Sequence, residues 1–403
     1  MSTIRFIHTA DLHLDSPFKG MASLPPQGLR QLRESTFTAF ANLIQHAVNT
    51  QPDFILIVGD IYDGDHRSLR AQLKFQDGMK KLNEVDIPVF ISYGNHDHLA
   101  GTWTRFDLPS NVHIFDGEVG IANLQVNGQE VVIHGFSYPE RHVREAVVNQ
   151  FPVAESEDAY HIGMLHGSVA GDGSHAVYAP FTKKELLAKR YDYWALGHIH
   201  LRQQLHAEPA IVYPGNIQGR HRNEQGWKGF YEVELSKIET NLTFVPTSAI
   251  VFERLEMSCE DIRHANEWFE SCLEVIEAFK TTHPAGIIEL LMTDIGEDAD
   301  ALFQQSTQEE WLDVLREYIG EEEPFVWVHA LSFTYSQSDA LPMNALTSSV
   351  VSTMENWTEA DWYEVLKDVY QHPRGIKYLN QLTTEELKEI EENAKKILAI
   401  EMG

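Results

Sequence analysis

The chain has 403 residues, 43% of them hydrophobic, with two cysteines and a formal net charge of −29 at neutral pH. That apolar share is ample for folded cores, and a prior of about 150 residues per domain predicts two or three domains. No run approaches the roughly 18 apolar residues of a membrane span, no signal-peptide apolar segment opens the chain, and Cys259 and Cys272 read as reduced thiols, so a membrane protein is excluded and a cytoplasmic location is expected.

Ile4-Arg5-Phe6-Ile7 reads as a buried strand running into Asp11-Leu12-His13. Short apolar runs rich in Ile, Val and aromatics, bounded by Gly or Asp, carry that reading. Leu29 to Asn49 repeats apolar residues at helical spacing and is predicted helical. A second strand, Phe54 to Val58, ends at Gly59-Asp60-Ile61-Tyr62-Asp63. A second helix covers Ser68 to Asn83, and a third strand, Val89 to Ile91, ends at Gly94-Asn95-His96-Asp97. The turn at Asn127-Gly128 predicts a hairpin, in which His134 is expected to be structural. Tyr160 to Leu165 delivers His166-Gly167, and Tyr193 to Leu196 delivers Gly197-His198-Ile199-His200. The motifs thus stand at carboxyl ends of strands, where α/β sheets present their active groups.

Gln203 to Ala207, Ala210 to Tyr213, Gly229 to Leu235 and Leu242 to Val245 read as strands that complete a second sheet. Residues 1–250 are therefore expected to form a two-sheet sandwich flanked by helices. Charge then changes sharply: residues 1–250 carry 21 basic and 28 acidic side chains, residues 251–403 carry 10 and 32. A boundary near residue 250 follows, with an acidic α/β cap over 251–335 built from a helix at Asp261 to Lys280, a strand at Ile287 to Met292, a helix at Ala299 to Ile319 and a strand at Pro324 to Thr334. Residues 336–357 read as a polar linker, and Thr358 to Tyr370 and Thr384 to Ile400 as C-terminal helices. The fold class is α/β in the α+β sense: a two-sheet core, a smaller α/β cap and terminal helices.

Of the 20 histidines, 16 precede residue 251, where the motifs lie. Carboxylate, amide and imidazole groups without thiolate suit a hard to borderline divalent ion such as manganese, iron or zinc. Asp11 and His13 are two residues apart near a strand end and point to one side, as do His198 and His200. The two oxygens of Asp60 make it the natural bridge between two ions, and Asn95 adds a neutral oxygen. Two such ions about 3.5–4 Å apart make a phosphoester hydrolysis site.

In this order the motifs resemble the calcineurin-like metallophosphoesterases, and among them the SbcD-like DNA repair exonucleases. The extended first motif, Asp11-Leu12-His13-Leu14-Asp15-Ser16-Pro17-Phe18, is most like the YhaO branch. The resemblance covers about residues 1 to 250. It implies that Asp11, His13 and His200 hold one metal, that Asn95, His166 and His198 hold the other, and that Asp60 bridges them. His96 would be the catalytic residue facing the scissile phosphate, and Asp63 or Asp97 would orient it or a ligand. The metals would be two divalent ions, manganese first and iron or zinc as alternatives, sharing a water whose pKa falls toward about 7 to give a bridging hydroxide nucleophile.

The implied activity is a DNA exo- or endonuclease of DNA repair, with DNA, a coiled-coil ATPase of the SbcC type and a second copy of the chain, met through helices such as Leu29 to Asn49, as partners. Eukaryotic and archaeal relatives carry a His three residues after the bridging Asp, where this chain has Asp63; His66 and His98 lie near by and read as loop histidines. The acidic balance supplies no basic stripe for DNA, so Lys183-Lys184, Lys189-Arg190 and Arg220-His221-Arg222 are the candidate contacts, or the partner provides the grip. A small-molecule phosphodiesterase or phosphomonoesterase is the alternative reading, and a non-catalytic scaffold of an ATPase complex the third.

Overall fold

The four sequence motifs hang from two six-stranded sheets packed face to face. The computed structural model describes residues 3–18, 21, 24–64, 67–101, 106–171, 178–320, 323–334, 345–370, 387, 390–391 and 394–395. In chain order the sandwich contains β1 (Ile4–Ala10), α1 (Pro26–Thr50), β2 (Phe54–Val58), α2 (Leu69–Asn83), β3 (Val89–Ser92), β4 (Val112–Ile114), β5 (Gly120–Val126), β6 (Gln129–Gly135), β7 (Tyr160–His166), α3 (Lys183–Ala188), β8 (Tyr193–Gly197), β9 (Gln203–His206), β10 (Ala210–Tyr213), β11 (Gly229–Leu235) and β12 (Thr240–Pro246). One sheet has the order β12-β11-β1-β2-β3-β4 and the other β5-β6-β7-β8-β10-β9. β1 to β4 run parallel, as do β6, β7, β8 and β10. The central strands of both sheets therefore end toward the same rim, which is why ligands far apart in sequence meet there.

Apolar side chains alternate to both faces. Phe6, Phe54 and Phe90 of one sheet meet Tyr160, Ile162 and Tyr193 of the other in the layer between them. The Phe6 and Phe54 rings stack at 4.9 Å, and Tyr193 meets Phe6 edge-on at 5.2 Å. On the outer face, α1 and α2 bury Phe40, Ile44, Phe75 and Met79. Ser68 caps α2 by accepting from the Ala71 amide at 2.9 Å. The outer face of the second sheet buries Phe136, Phe151 and Trp194. There His134 stacks on Tyr191 at 4.5 Å and lies 3.1 Å from His161, a packing role.

A third sheet, of order β13-β14-β15, follows: β13 (Val251–Ser258), α4 (Ala265–Thr282), β14 (Gly286–Thr293), α5 (Glu297–Phe303), α6 (Gln308–Ile319) and β15 (Val326–Phe333). Two compact units result. Residues 1–292 with 296–333 form one, and 293–295 with 334–403 the other. Within the first unit, Phe18, Leu24 and Leu32 share a cluster with Ile250, Phe252, Ile287 and Phe325, which joins the third sheet to the extended first motif. The second unit contains α7 (Ala345–Met354) and α8 (Glu359–Tyr370), with Met354, Trp362 and Leu387 buried together.

Three expectations need correction. Residues 203–246 do not all complete the second sheet: β9 and β10 do, whereas β11 and β12 extend the first, β11 lying antiparallel beside β1. Ala299 to Ile319 is two helices: α5 ends at Phe303, and Thr307 opens α6 as its cap by accepting from the Glu310 amide. The linker expected at 336–357 is helical over Ala345–Met354. The helix expected at Thr384 to Ile400 falls almost wholly outside the described residues, as does His66.

Candidate metal centre

Backbone geometry at the strand ends is unusual in a consistent way. Asp11, His13, Asp60 and His198 all adopt positive φ, at 52°, 41°, 49° and 98°. Non-glycine residues held there cost of order 1–3 kcal/mol each, and such outliers collect at functional sites. Amide bonds brace the turns: Asp11 N donates to Gly59 O at 3.1 Å and His13 N to Asp60 O at 3.0 Å. Gly94 is required for close approach, since a Cβ there would lie 2.4 Å from Asp60 Oδ1 and 2.7 Å from His166 Nε2.

The turns bring two triads together. Asp11, His13 and His200 form one, and Asp60, His166 and His198 the other, each with its donor atoms within 4.8 Å of one another. In the first, His13 Nε2 is 3.0 Å from His200 Nε2 and 4.0 Å from Asp11 Oδ1. Asp60 Oδ2 lies between the triads, 3.4 Å from His166 Nε2 and 3.8 Å from His13 Nε2. Asn95 Oδ1 joins the second triad at 3.2 Å from His166 Nε2. All seven residues expected as ligands are therefore in one cluster.

Hydrogen bonds at the far side of two of the rings aim their lone pairs. His166 Nδ1 donates to Val58 O at 3.1 Å, and His200 Nδ1 donates to Glu224 Oε1 at 2.6 Å. Sequence reasoning missed Glu224. Its only signal was its place in the loop after Pro214-Gly215-Asn216, where it also accepts from Asn216 Nδ2 and the Arg220 amide, both at 2.7 Å.

Of the two orienting candidates, Asp63 lies 3.5 Å from His96 Nδ1 and 3.8 Å from His13 Nδ1. Asp97 instead accepts from the Ile61 amide at 2.7 Å and the Gly94 amide at 2.6 Å, fastening two motif loops together. Arg67 reinforces that joint by bonding the Asp97 carbonyl from beneath Tyr62 and Tyr93. His96 donates its amide to Asp60 Oδ1 at 2.9 Å, and its Nδ1 accepts from the Gly64 amide at 3.1 Å, so the neutral ring carries its proton on Nε2.

Electrostatics follow from burial and these contacts. Burial raises the Asp11 carboxyl to about 6 against the pull of His166 and His200. Burial also opposes charge on Asp60, but His166, His96 and His13 hold its carboxyl well below the ordinary range. Burial would lower His166, yet the Asp60 carboxylate outweighs it and lifts the imidazole to about 9. His13 is driven well below its usual value by burial, Arg220 and His200, which leaves it a neutral donor.

Two clefts open from this cluster. One, of about 640 Å3, is lined by Asp60, Asn95, Tyr178, Leu201 and Tyr213. The other, of about 520 Å3, is lined by Ser16, Phe18, Asp63 and Arg220. They share His96, His200, His221 and Glu224.

The donors fit a pair of divalent cations. Glu224 takes one nitrogen of His200, and the other faces His13 Nε2 at 3.0 Å, where a shared proton or a divalent cation satisfies both nitrogens together. The set is oxygen and nitrogen without sulfur, and neither Cys259 nor Cys272 approaches it. No helix among the described residues is long and apolar enough to cross a membrane.

Known proteins show the same character. The family described as Calcineurin-like phosphoesterase matches residues 4–202. The metallophosphoesterase YhaO of Bacillus subtilis (strain 168) is 35% identical over 402 residues, covering 99% of this chain and 98% of its own. The DNA double-strand break repair protein Mre11 of Methanocaldococcus jannaschii is 26% identical over 273 residues, covering 65% of this chain and 69% of its own, and that of Thermoplasma acidophilum is 25% identical over 321 residues, covering 74% and 82%. Full-length similarity to a metallophosphoesterase, with the family's match spanning the strands that carry both triads, means that this chain belongs to the calcineurin-like phosphoesterases, hydrolases of phosphoesters that work at a dinuclear metal site.

Proposed function

We propose that the protein is a metal-dependent DNA nuclease that hydrolyses phosphodiester bonds, with manganese as its working ion. The observation that carries this reading is the pair of clefts leaving the metal centre and sharing His96 and His200. A monoester needs space on one side of its phosphorus; a diester within a chain needs it on both. Similarity to the Mre11 repair proteins of two archaea supports the same substrate class.

In this reading Asp11, His13 and His200 would hold one ion and Asn95, His166 and His198 the other, with Asp60 placed between the two triads. The ions, when bound, acidify a shared water and neutralise charge that builds on the phosphate. The chain does the rest. Glu224 and the Val58 carbonyl fix the tautomers of His200 and His166. His96, anchored through its amide to Asp60 and through Nδ1 to Gly64, presents Nε2–H to a phosphate oxygen or to the departing alkoxide. Asp63 Oδ1 stands 3.5 Å from Nδ1 of the same imidazole.

DNA grip is the weak link of a chain with net charge −29. Of the basic candidates, Lys189 donates to the Asn149 and Phe151 carbonyls, and Arg190 pairs with Glu157 at 3.0 Å. Arg220 faces the second cleft. A coiled-coil ATPase partner of the SbcC type would supply the missing positive surface. The same lack of basic residues favours the second reading, a small-molecule phosphodiesterase.

Comparison of linear duplex DNA with bis(p-nitrophenyl) phosphate and p-nitrophenyl phosphate, each with manganese, separates the readings. Hydrolysis of DNA and of the diester supports the nuclease. Hydrolysis of the small diester alone, even with the ATPase partner present, supports the phosphodiesterase.

A further inference from the structure

The second cleft holds a cation that the chemistry described so far does not use. Arg220 reaches it from the loop after β10, and its guanidinium is fixed from one side. Nη2 donates to Asp63 Oδ2 at 2.7 Å and Nε to Ser16 Oγ at 3.0 Å, while Ser16 Oγ itself donates to Asp63 Oδ2 at 2.9 Å. A guanidinium carries five N–H groups in one plane. Asp63 and Ser16 engage one edge, and no hydrogen bond from Nη1 is found among the described residues.

Exposure decides which member of the ion pair meets a ligand. The Asp63 side chain is 8% exposed and that of Arg220 20%. The carboxylate is the buried support, and the cation faces the cleft. A planar, permanently charged fork held at one edge is preorganised for a phosphate, which it can bind in bidentate fashion. Ser16 comes from the extended first motif, so that stretch places this support as well as the ligands Asp11 and His13.

Position decides which phosphate. Asp63 Oδ1 is 3.5 Å from His96 Nδ1, while Asp63 Oδ2 is the atom that holds Arg220. The same Asp63 carboxylate lies 3.8 Å from His13 Nδ1, so it stands between the guanidinium and both imidazoles. The first cleft offers Tyr178, Tyr213 and Leu201, which suit a sugar and a base; the second offers charge.

We propose that the cleft of Ser16, Asp63 and Arg220 is a subsite for the phosphodiester next to the scissile one, gripped by Arg220, so that the preferred substrate is a strand with at least two consecutive charged linkages. This rests on the nuclease reading and adds to it a requirement for an oligonucleotide over a single phosphodiester.

The test uses the manganese-loaded full chain and a thymidine trinucleotide, beside two versions in which one or the other linkage is an uncharged methylphosphonate. The wild type is expected to cleave the fully charged trimer with a kcat/KM at least ten-fold above that for the neutralised trimer in which the linkage it cuts stays charged, since a methylphosphonate at the cut linkage blocks hydrolysis with or without a subsite. Arg220→Gln is expected to bring that ratio close to one, and Arg220→Lys to retain part of it, with metal content and melting temperature recorded for both.

A wild type indifferent to the neutral linkage would overturn the subsite. So would an Arg220→Gln variant that loses activity equally on every trimer and keeps the ratio, since that is the signature of Arg220 merely bracing Asp63. A wild type that cleaves bis(p-nitrophenyl) phosphate but none of the trimers overturns the nuclease reading itself, a pattern distinct from the other two.

Discussion

His13 Nε2 and His200 Nε2 lie 3.0 Å apart although 187 residues separate them. Two neutral imidazole lone pairs that close repel unless a proton or a cation sits between them. Glu224 takes the other nitrogen of His200 at 2.6 Å and so decides which atom is left to ligate. Glu224→Gln should therefore keep the fold but weaken divalent-ion binding by about 10- to 100-fold, the usual cost of removing a ligand's orienting partner. Calorimetric titration with manganese measures it; wild-type affinity in the variant would remove Glu224 from the site's design.

Gly94→Ala tests the close approach of the two loops. The added methyl would sit 2.4 Å from Asp60 Oδ1 and 2.7 Å from His166 Nε2, atoms of two buried residues of the cluster. Overpacking of this kind costs roughly 1–3 kcal/mol. The variant is expected to lose metal from at least one position and to melt several degrees lower, as metal analysis and thermal unfolding would show.

Metal uptake should release protons. Asp60 outweighs burial at His166 and lifts its imidazole to about 9, so near pH 7 that ring holds a proton which an incoming cation must displace. About one proton per chain should leave from His166 at pH 7, and affinity should rise as pH climbs toward 9. Calorimetry in buffers of different ionisation enthalpy counts the protons; zero release would contradict the arrangement of Asp60 beside His166.

His8 governs a different pH effect. It lies buried between the sheets, accepting from the Tyr193 hydroxyl at 2.9 Å and donating to the Leu196 carbonyl at 3.1 Å. Burial lowers it from 6.5 to about 3. Between those values the unfolded chain binds a proton that the folded chain does not, so stability falls as pH drops through the window. From pH 6.5 to 5 the loss from this residue is about 2 kcal/mol. His134, lowered by burial to about 4, acts in the same direction. Urea unfolding of His8→Asn at pH 7.5 and 5 should show a lower stability at the upper pH and a shallower fall between them.

Much of this was legible in the sequence because the site is built from strand ends. Asp11, Asp60, Asn95, His166, His198 and His200 each follow a run of buried aliphatic residues, and parallel strands carry such ends to one rim. What stayed hidden depends on long-range geometry. Glu224 sits in an irregular loop with no period to mark it, and its partner is fixed only once β10 has paired with β8. β11 reads as a strand either way; its place beside β1 is set by pairings such as Phe6 with Val233, and a strand's own pattern does not name its neighbour. The break at Thr307 was readable in principle, as a capping residue inside an apparently continuous helix.

The most direct measurement is release of nucleotides from end-labelled linear duplex DNA with manganese, by the wild type and by His96→Ala shown to hold the same metal. Digestion by the wild type and at least a hundred-fold loss in the metal-loaded variant is the predicted result. Digestion at an undiminished rate by His96→Ala would contradict the role given to that imidazole, and failure of the metal-loaded wild type to cleave DNA, with or without its ATPase partner, would contradict the nuclease reading.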